Sequence, residues 1–212
     1  MLNNLNIGTR LYTMTAIAAV GLIVIIMLGV NGLATLNDEV EQIYTKDLLP
    51  ITQMAEIEQS LGEARAQLAL GLQHDPQSGL ADLHDHPITL HTDEIGLQLE
   101  QIDEAWASVR ADLAGMDSGL AEEIDTSITE FEQAMSIASE RLVDSRWRDA
   151  SLNLVRRVNP AFGPFEENAG EALELKISEA EAVFTHSQEM YAGTRTLLIA
   201  LGALAAVVVI AL

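Results

Sequence analysis

Two uncharged apolar runs bracket this chain, and they restrict its fold more than any other feature. Residues 11–37 contain no Asp, Glu, Lys or Arg, and their centre, residues 16–28, is built from Ala, Val, Ile, Leu, Met and one Gly. A second run follows Arg195 and extends to Leu212. Crossing the hydrocarbon core of a bilayer takes about 20 apolar residues as a helix. The first run meets that length. The second has 17 residues and is expected to continue past Leu212, which makes this chain the front part of a longer protein. A secretory signal has an apolar region of only roughly 7–15 residues before its cleavage site. Residues 11–37 exceed that and pass without a break into polar helix, so they are expected to stay as an anchor.

Charge then sets an expected topology. The net charge is −21, and all 32 acidic residues lie between the runs. Arg10 precedes the first run and Arg195 the second. Basic flanks stay on the cytoplasmic side. The expected layout is therefore a cytoplasmic segment 1–10, a membrane helix 11–34, a periplasmic domain 35–194 and a second membrane helix 195–212, in a multi-pass inner-membrane protein. An acidic domain facing away from anionic lipid agrees with this. The absence of cysteine fits an oxidising compartment. Nucleic acid is excluded as a partner, because it demands a basic surface. Only two of the 11 basic residues are lysines.

The middle segment of about 160 residues is one domain in size. Ala, Leu, Glu, Gln and Ile dominate it, and strand-like alternation is absent. Apolar residues recur at helical spacing in four stretches. The first carries Leu36, Val40, Ile43, Met54, Ile57, Leu61, Leu68 and Leu72, with a kink expected at Pro50. A turn follows at residues 75–79. The second opens near Pro87, carries Ile88, Ile95, Leu99, Ile102, Trp106, Val109 and Leu113, and stops at Gly115. The third carries Leu120, Ile124, Ile128, Phe131, Met135, Ala138 and Leu142. The fourth begins near Arg148, is expected to break near Pro160 and Pro164, and carries Phe165, Ala169, Leu173, Ile177, Ala180, Phe184 and Tyr191. The expected fold is all-α: a periplasmic up-down-up-down four-helix bundle flanked by two transmembrane helices. Gly21, Gly29, Gly32 and Gly202 in the apolar runs permit close helix packing.

Short stretches carry a family resemblance. Asn4-Leu5-Asn6-Ile7-Gly8-Thr9-Arg10-Leu11 resembles the start of bacterial methyl-accepting chemotaxis receptors. Asp47-Leu48-Leu49-Pro50-Ile51 and Ala64-Arg65-Ala66-Gln67-Leu68 resemble the first helix of their ligand-binding bundle. The resemblance implies a homodimer with first helices packed together. It also implies a cytoplasmic part, beyond this chain, that acts on a histidine kinase and a coupling protein. Some members bind an amino acid across the dimer interface through arginines on the first helix. Arg65 matches one such position, whereas the next two hold Leu70 and His74.

Two side-chain clusters remain as candidate sites. The basic one comprises Arg65, Arg141, Arg146, Arg148, Arg156 and Arg157, with Trp147 among them. Guanidinium forks suit carboxylates. The expected ligand is therefore a small anionic molecule of the carboxylate class, held by Arg65, Arg156 and Arg157 beside Trp147; the alternative is that these arginines pair with surface glutamates. The second cluster is His74, His84, His86 and His91, four of the five histidines within 18 residues. It suits a divalent transition metal such as zinc, nickel or copper. The alternatives are a pH-sensitive tip or plain structure, with Asp75, Asp85 and His86 capping helix ends. No cofactor is otherwise implied. No nucleophile motif, phosphate loop or His-Glu-x-x-His is present, so no enzyme activity is expected. The leading reading is the sensory module of a transmembrane chemoreceptor. A sensor histidine kinase, a metal-sensing bundle and a structural anchor are the other readings.

Overall fold

The computed structural model describes residues 7–211. Asn4, Leu5 and Asn6 of the opening motif and the terminal Leu212 lie outside the described residues, as does the side chain of Arg10. The described chain is helical, without strands. Six α-helices follow in order: α1 (Ile7–Gln42), α2 (Leu49–Gly71), α3 (Thr89–Met116), α4 (Ser118–Val143), α5 (Trp147–Asn153) and α6 (Asn159–Ala211).

The prolines bend the helices without ending them. A proline at position i has no N–H for the carbonyl at i−4 and crowds it. For Pro50 that carbonyl belongs to Lys46, and for Pro160 to Arg156. Both lie in π-helical segments, Ile43–Leu48 and Leu154–Val158. Such a widened turn carries the ladder past the defect. The break expected near Pro160 and Pro164 is therefore absent: helix continues through both, and Pro164 lies inside α6.

The chain divides into two compact units. Residues 46–178 form the bundle. From the π-helical segment through α2, Asp47, Pro50, Met54, Ile57, Leu61, Ala64, Leu68 and Gly71 are buried in alternating steps of three and four, as a bundle seam requires, with Ser60 buried beside them. α3 adds Ile95, Ile102, Trp106, Val109 and Leu113; α4 adds Leu120, Ile124, Ile128, Phe131, Met135, Ala138 and Leu142. All of these carry the expected helical pattern. Consecutive helices α2, α3, α4 and α5 pack against one another. Asp117 separates α3 from α4, and its carboxylate accepts from the Gly119 and Leu120 amides at 2.9 and 3.0 Å, an N-cap. α4 ends where the Arg146 amide donates back to the Arg141 carbonyl at 2.8 Å, with Ser145 at φ 58° as the left-handed residue.

The fourth stretch differs from its expected face. Val158, Ala161, Phe165 and Ala172 are buried, whereas Leu173, Ile177, Phe184 and Tyr191 are exposed. From Ala172 on, the seam runs one residue before the large apolar positions Leu173 and Ile177. Lys176 continues that seam and is only 5% exposed. Its Nζ donates to Asp112 at 2.6 Å, and Lys46 pairs with the same carboxylate at 3.6 Å. Both lysines of the chain thus converge on one aspartate of α3.

Residues 1–45 and 179–212 form the second unit. Gly21 faces Ala205, Gly32 faces Thr194 at 3.1 Å, and Ser187 donates to Glu39. Rising numbers on α1 meet falling numbers on α6, so the two run antiparallel. Gly29 and Gly202 face open space. Each helix holds a stretch long and apolar enough to cross a membrane, and none of the most apolar residues is buried by protein.

Glu132 on α4 is half-buried beside Asp103 and Asp125. Burial first, then the charge of Asp103, a hydrogen bond with Asp103 and the charge of Asp125 push its carboxyl up to about 7. The folded state therefore holds a proton that the unfolded chain releases near its ordinary 4.5, and stability falls as pH rises between those values. Glu132→Gln is expected to raise the melting temperature at about pH 8 and change it little at about pH 4.5, as thermal melts followed by circular dichroism would report. Asp112→Ala is expected to destabilise the bundle by about 2 kcal/mol, the scale of a hydrogen bond to a charged group, measured by urea unfolding.

Candidate functional site

The α2–α3 connection gathers four imidazoles. The last turn of α2 tightens into a 3-10 segment, Leu72–His74, and a second such turn spans Ala81–Leu83. The loop between them is fixed by its own polar groups. Asp75 Oδ1 accepts from the Gln77 amide at 2.8 Å. Ser78 Oγ donates to the Gln73 carbonyl at 2.9 Å and accepts from the Leu80 amide at 3.0 Å. Gly79, at φ +72°, turns the chain back. Asp75 therefore shapes the turn. Asp85 and His86 do not cap α3, whose first position follows Ile88 with no side-chain cap.

This loop delivers His84 and His86 opposite His74 from α2 and His91 from α3. One ring nitrogen from each of the four lies within 4.8 Å of the others. His86 Nε2 is 3.0 Å from His91 Nε2 and 3.4 Å from His84 Nδ1. The rings of His74 and His84 have centroids 4.2 Å apart. His91 is buried, and the other three are half-buried. Gly71 makes the approach possible. A Cβ there would lie 2.7 Å from Leu142 Cδ1 and 3.6 Å from His91 Cβ, so a side chain would have to displace the Leu142 methyl group.

Outward-facing nitrogens meet oxygens. His91 Nδ1 lies 2.7 Å from Gln67 Oε1, His84 Nε2 lies 3.3 Å from Gln73 Oε1, and His86 Nδ1 lies 3.4 Å from Asp85 Oδ1. Such acceptors hold the outer N–H and leave the inner nitrogen as a lone pair. Gln67 and Gln73 were not flagged by the sequence pattern; the available signal is that Gln67 stands seven residues before His74, on the same helix face. Burial first, then His84 and His86, lowers the His74 pKa. Burial first, then His74, His86 and His84, lowers that of His91. For His74 and His91 this favours the neutral ring, the form that ligates metals.

The arginines are not gathered into one pocket. Arg65 is half-buried, with its guanidinium 4.2 Å from the ring centroid of Phe162, a cation–π contact, and its Nε has no hydrogen-bond partner. Arg156 and Arg157 are exposed and line an open groove with Glu130, Gln133, Ala134, Pro160 and Ala161. Arg65 is not among the residues lining that groove. Arg146 is paired with Asp149 at 2.6 Å, and Arg141 donates to the Asp149 carbonyl at 3.3 Å. Trp147 packs against the hydrophobic core.

Residues 1–164 match the family described as Tar ligand binding domain homologue. No curated protein and no solved structure matches the chain. The match spans α1 to the start of α6 and covers the helices that form the bundle core and the four-histidine loop. The chain belongs to the Tar ligand binding domain homologues, and its bundle is a chemoreceptor ligand-binding domain.

Proposed function

We propose that the chain is the sensory module of a transmembrane chemoreceptor. The bundle faces the periplasm, binds a small ligand and biases the position of α6, which transmits the change through the inner membrane. The observation that carries this reading is the family match over residues 1–164, supported by flanking helices whose most apolar stretches no protein surface covers. A small piston or tilt of a rigid helix suffices as a signal, and the ligand's difference in affinity between the two arrangements sets its strength. A cytoplasmic part beyond this chain passes the signal to a histidine kinase and a coupling protein. A homodimer is supported by the apolar side chains that the first and last helices leave exposed, Leu48 and Leu49 on one and Leu173 and Ile177 on the other.

The ligand class that Arg65 favours is a carboxylate. In a strongly acidic protein this guanidinium stacks on Phe162, and its Nε has no hydrogen-bond partner. A planar fork held against a ring is ready for bidentate pairing. Arg156 and Arg157 add positive potential from their groove, and Trp147 buttresses the helix that leads to them.

Two measurements test this. The chain lacks cysteine, so single thiols report topology cleanly. Ser151→Cys in intact cells is expected to react with a membrane-impermeant maleimide and Gly8→Cys to be protected; the reverse pattern removes the periplasmic reading. Calorimetric titration with a panel of small carboxylates is expected to find one that binds, with affinity falling about tenfold or more in Arg65→Ala, the loss of one charged pair. An unchanged affinity rules out Arg65 as the anion contact.

A further inference from the structure

We propose that His74, His84, His86 and His91 form a closed, all-imidazole site for one transition-metal ion, clasping the end of α2 to the start of α3. This goes beyond the sensory reading and does not depend on it, because it rests on the geometry of the loop alone.

Spacing is the first argument. Metal–imidazole bonds of about 2.0–2.1 Å in a tetrahedron put neighbouring nitrogens about 3.3 Å apart. The separations of 3.0 and 3.4 Å at His86 Nε2 bracket that value. Proton accounting is the second. Gln67, Gln73 and Asp85 face the outer nitrogens of His91, His84 and His86, and in the tautomers that donate to those oxygens three lone pairs point inward at one another. His74 adds an Nε2 that is buried and has no hydrogen-bond partner. Lone pairs packed this closely repel unless a cation lies among them. The outer contacts are the arrangement that orients metal-binding histidines and raises their basicity.

The donor set also states which ion. Imidazole nitrogens suit zinc, copper and nickel, whereas magnesium and calcium take oxygen. Four protein ligands leave no open position, so the site holds its ion and does not activate water. The exposed edge of His86, whose side chain is 30% accessible, gives an ion a way in. Because ligands come from α2, the loop and α3, the ion ties down the longest irregular stretch of the bundle, and binding it stabilises the folded state.

The test uses the 212-residue chain in detergent, purified without a histidine tag, stripped with chelator and titrated with Co²⁺ and Zn²⁺. The expected result is one ion per chain by mass spectrometry, with the intense visible bands of tetrahedral cobalt that Zn²⁺ then displaces. His86→Ala with His91→Ala should abolish both, and His186→Ala, which alters the fifth histidine on α6, should leave both unchanged. Gln67→Leu removes only the outer partner of His91 and should weaken binding about tenfold or more; it keeps the ligands intact if the double variant fails to fold. Absence of stoichiometric binding, octahedral cobalt spectra, or equal affinity in the parent and a folded double variant each overturn the proposal.

Discussion

A helix that contains proline must lose a hydrogen bond and relieve a crowded carbonyl, and the way this chain meets that requirement governs the rest of its bundle. Both π-helical segments contain the residue four places before a proline. The extra residue in a widened turn rotates every following side chain about the helix axis. The buried faces follow these turns: Asp47 through Gly71 on one helix and Val158 through Lys176 on the other. Neither helix ends, so each continues from bundle residues into a stretch apolar enough for lipid. An unbroken backbone is also what a hydrocarbon environment demands, since no water is there to satisfy free amides.

The buried faces put polar groups at opposite ends of α2. Where α2 begins, Asp47 is buried, and Lys46 and Lys176 meet Asp112. A buried ammonium is tolerated only when paired, so the contact joins α3 to the residues flanking the first proline and to α6. Where α2 ends, Gly71 admits close neighbours, and the imidazoles collect just beyond it. Between them Ile57, Leu61, Ile102, Ile124 and Phe131 are fully buried, and the polar side chains buried among these layers are the uncharged Ser60, Gln98, Ser127 and Asn153. The buried charged and imidazole groups thus lie toward the two ends of α2, where ions or protons can bias the structure.

Electrostatics explain why the arginines matter despite their dispersal. With 32 acidic residues against 11 basic ones, carboxylates are the abundant partners for a guanidinium, and Arg110 pairs with Asp125 at 3.2 Å and Arg146 with Asp149. Arg65 instead rests on an aromatic ring. Glu132 shows the converse effect: acidic neighbours and burial hold its proton to about neutral pH. Crowded like charges are thus managed by protonation in one place and by pairing in the others.

By itself, the sequence determined the helical class, the four stretches of the bundle, the two apolar runs and the identity of the four histidines. These are local properties: the period of apolar residues, the length of an uncharged run and the clustering of one residue type are all written along the chain. Its reading of α6 was off by one position after Ala169: the buried residues are Ala172 and Lys176, and the large apolar Leu173 and Ile177 beside them are exposed. Only the tertiary structure decided the pairing of both lysines with Asp112, the contact of Arg65 with Phe162, and the oxygen partners of the imidazoles. Each of these depends on residues far apart in sequence meeting across a helix interface. No periodicity within a single helix encodes such meetings; they follow from how the helices pack.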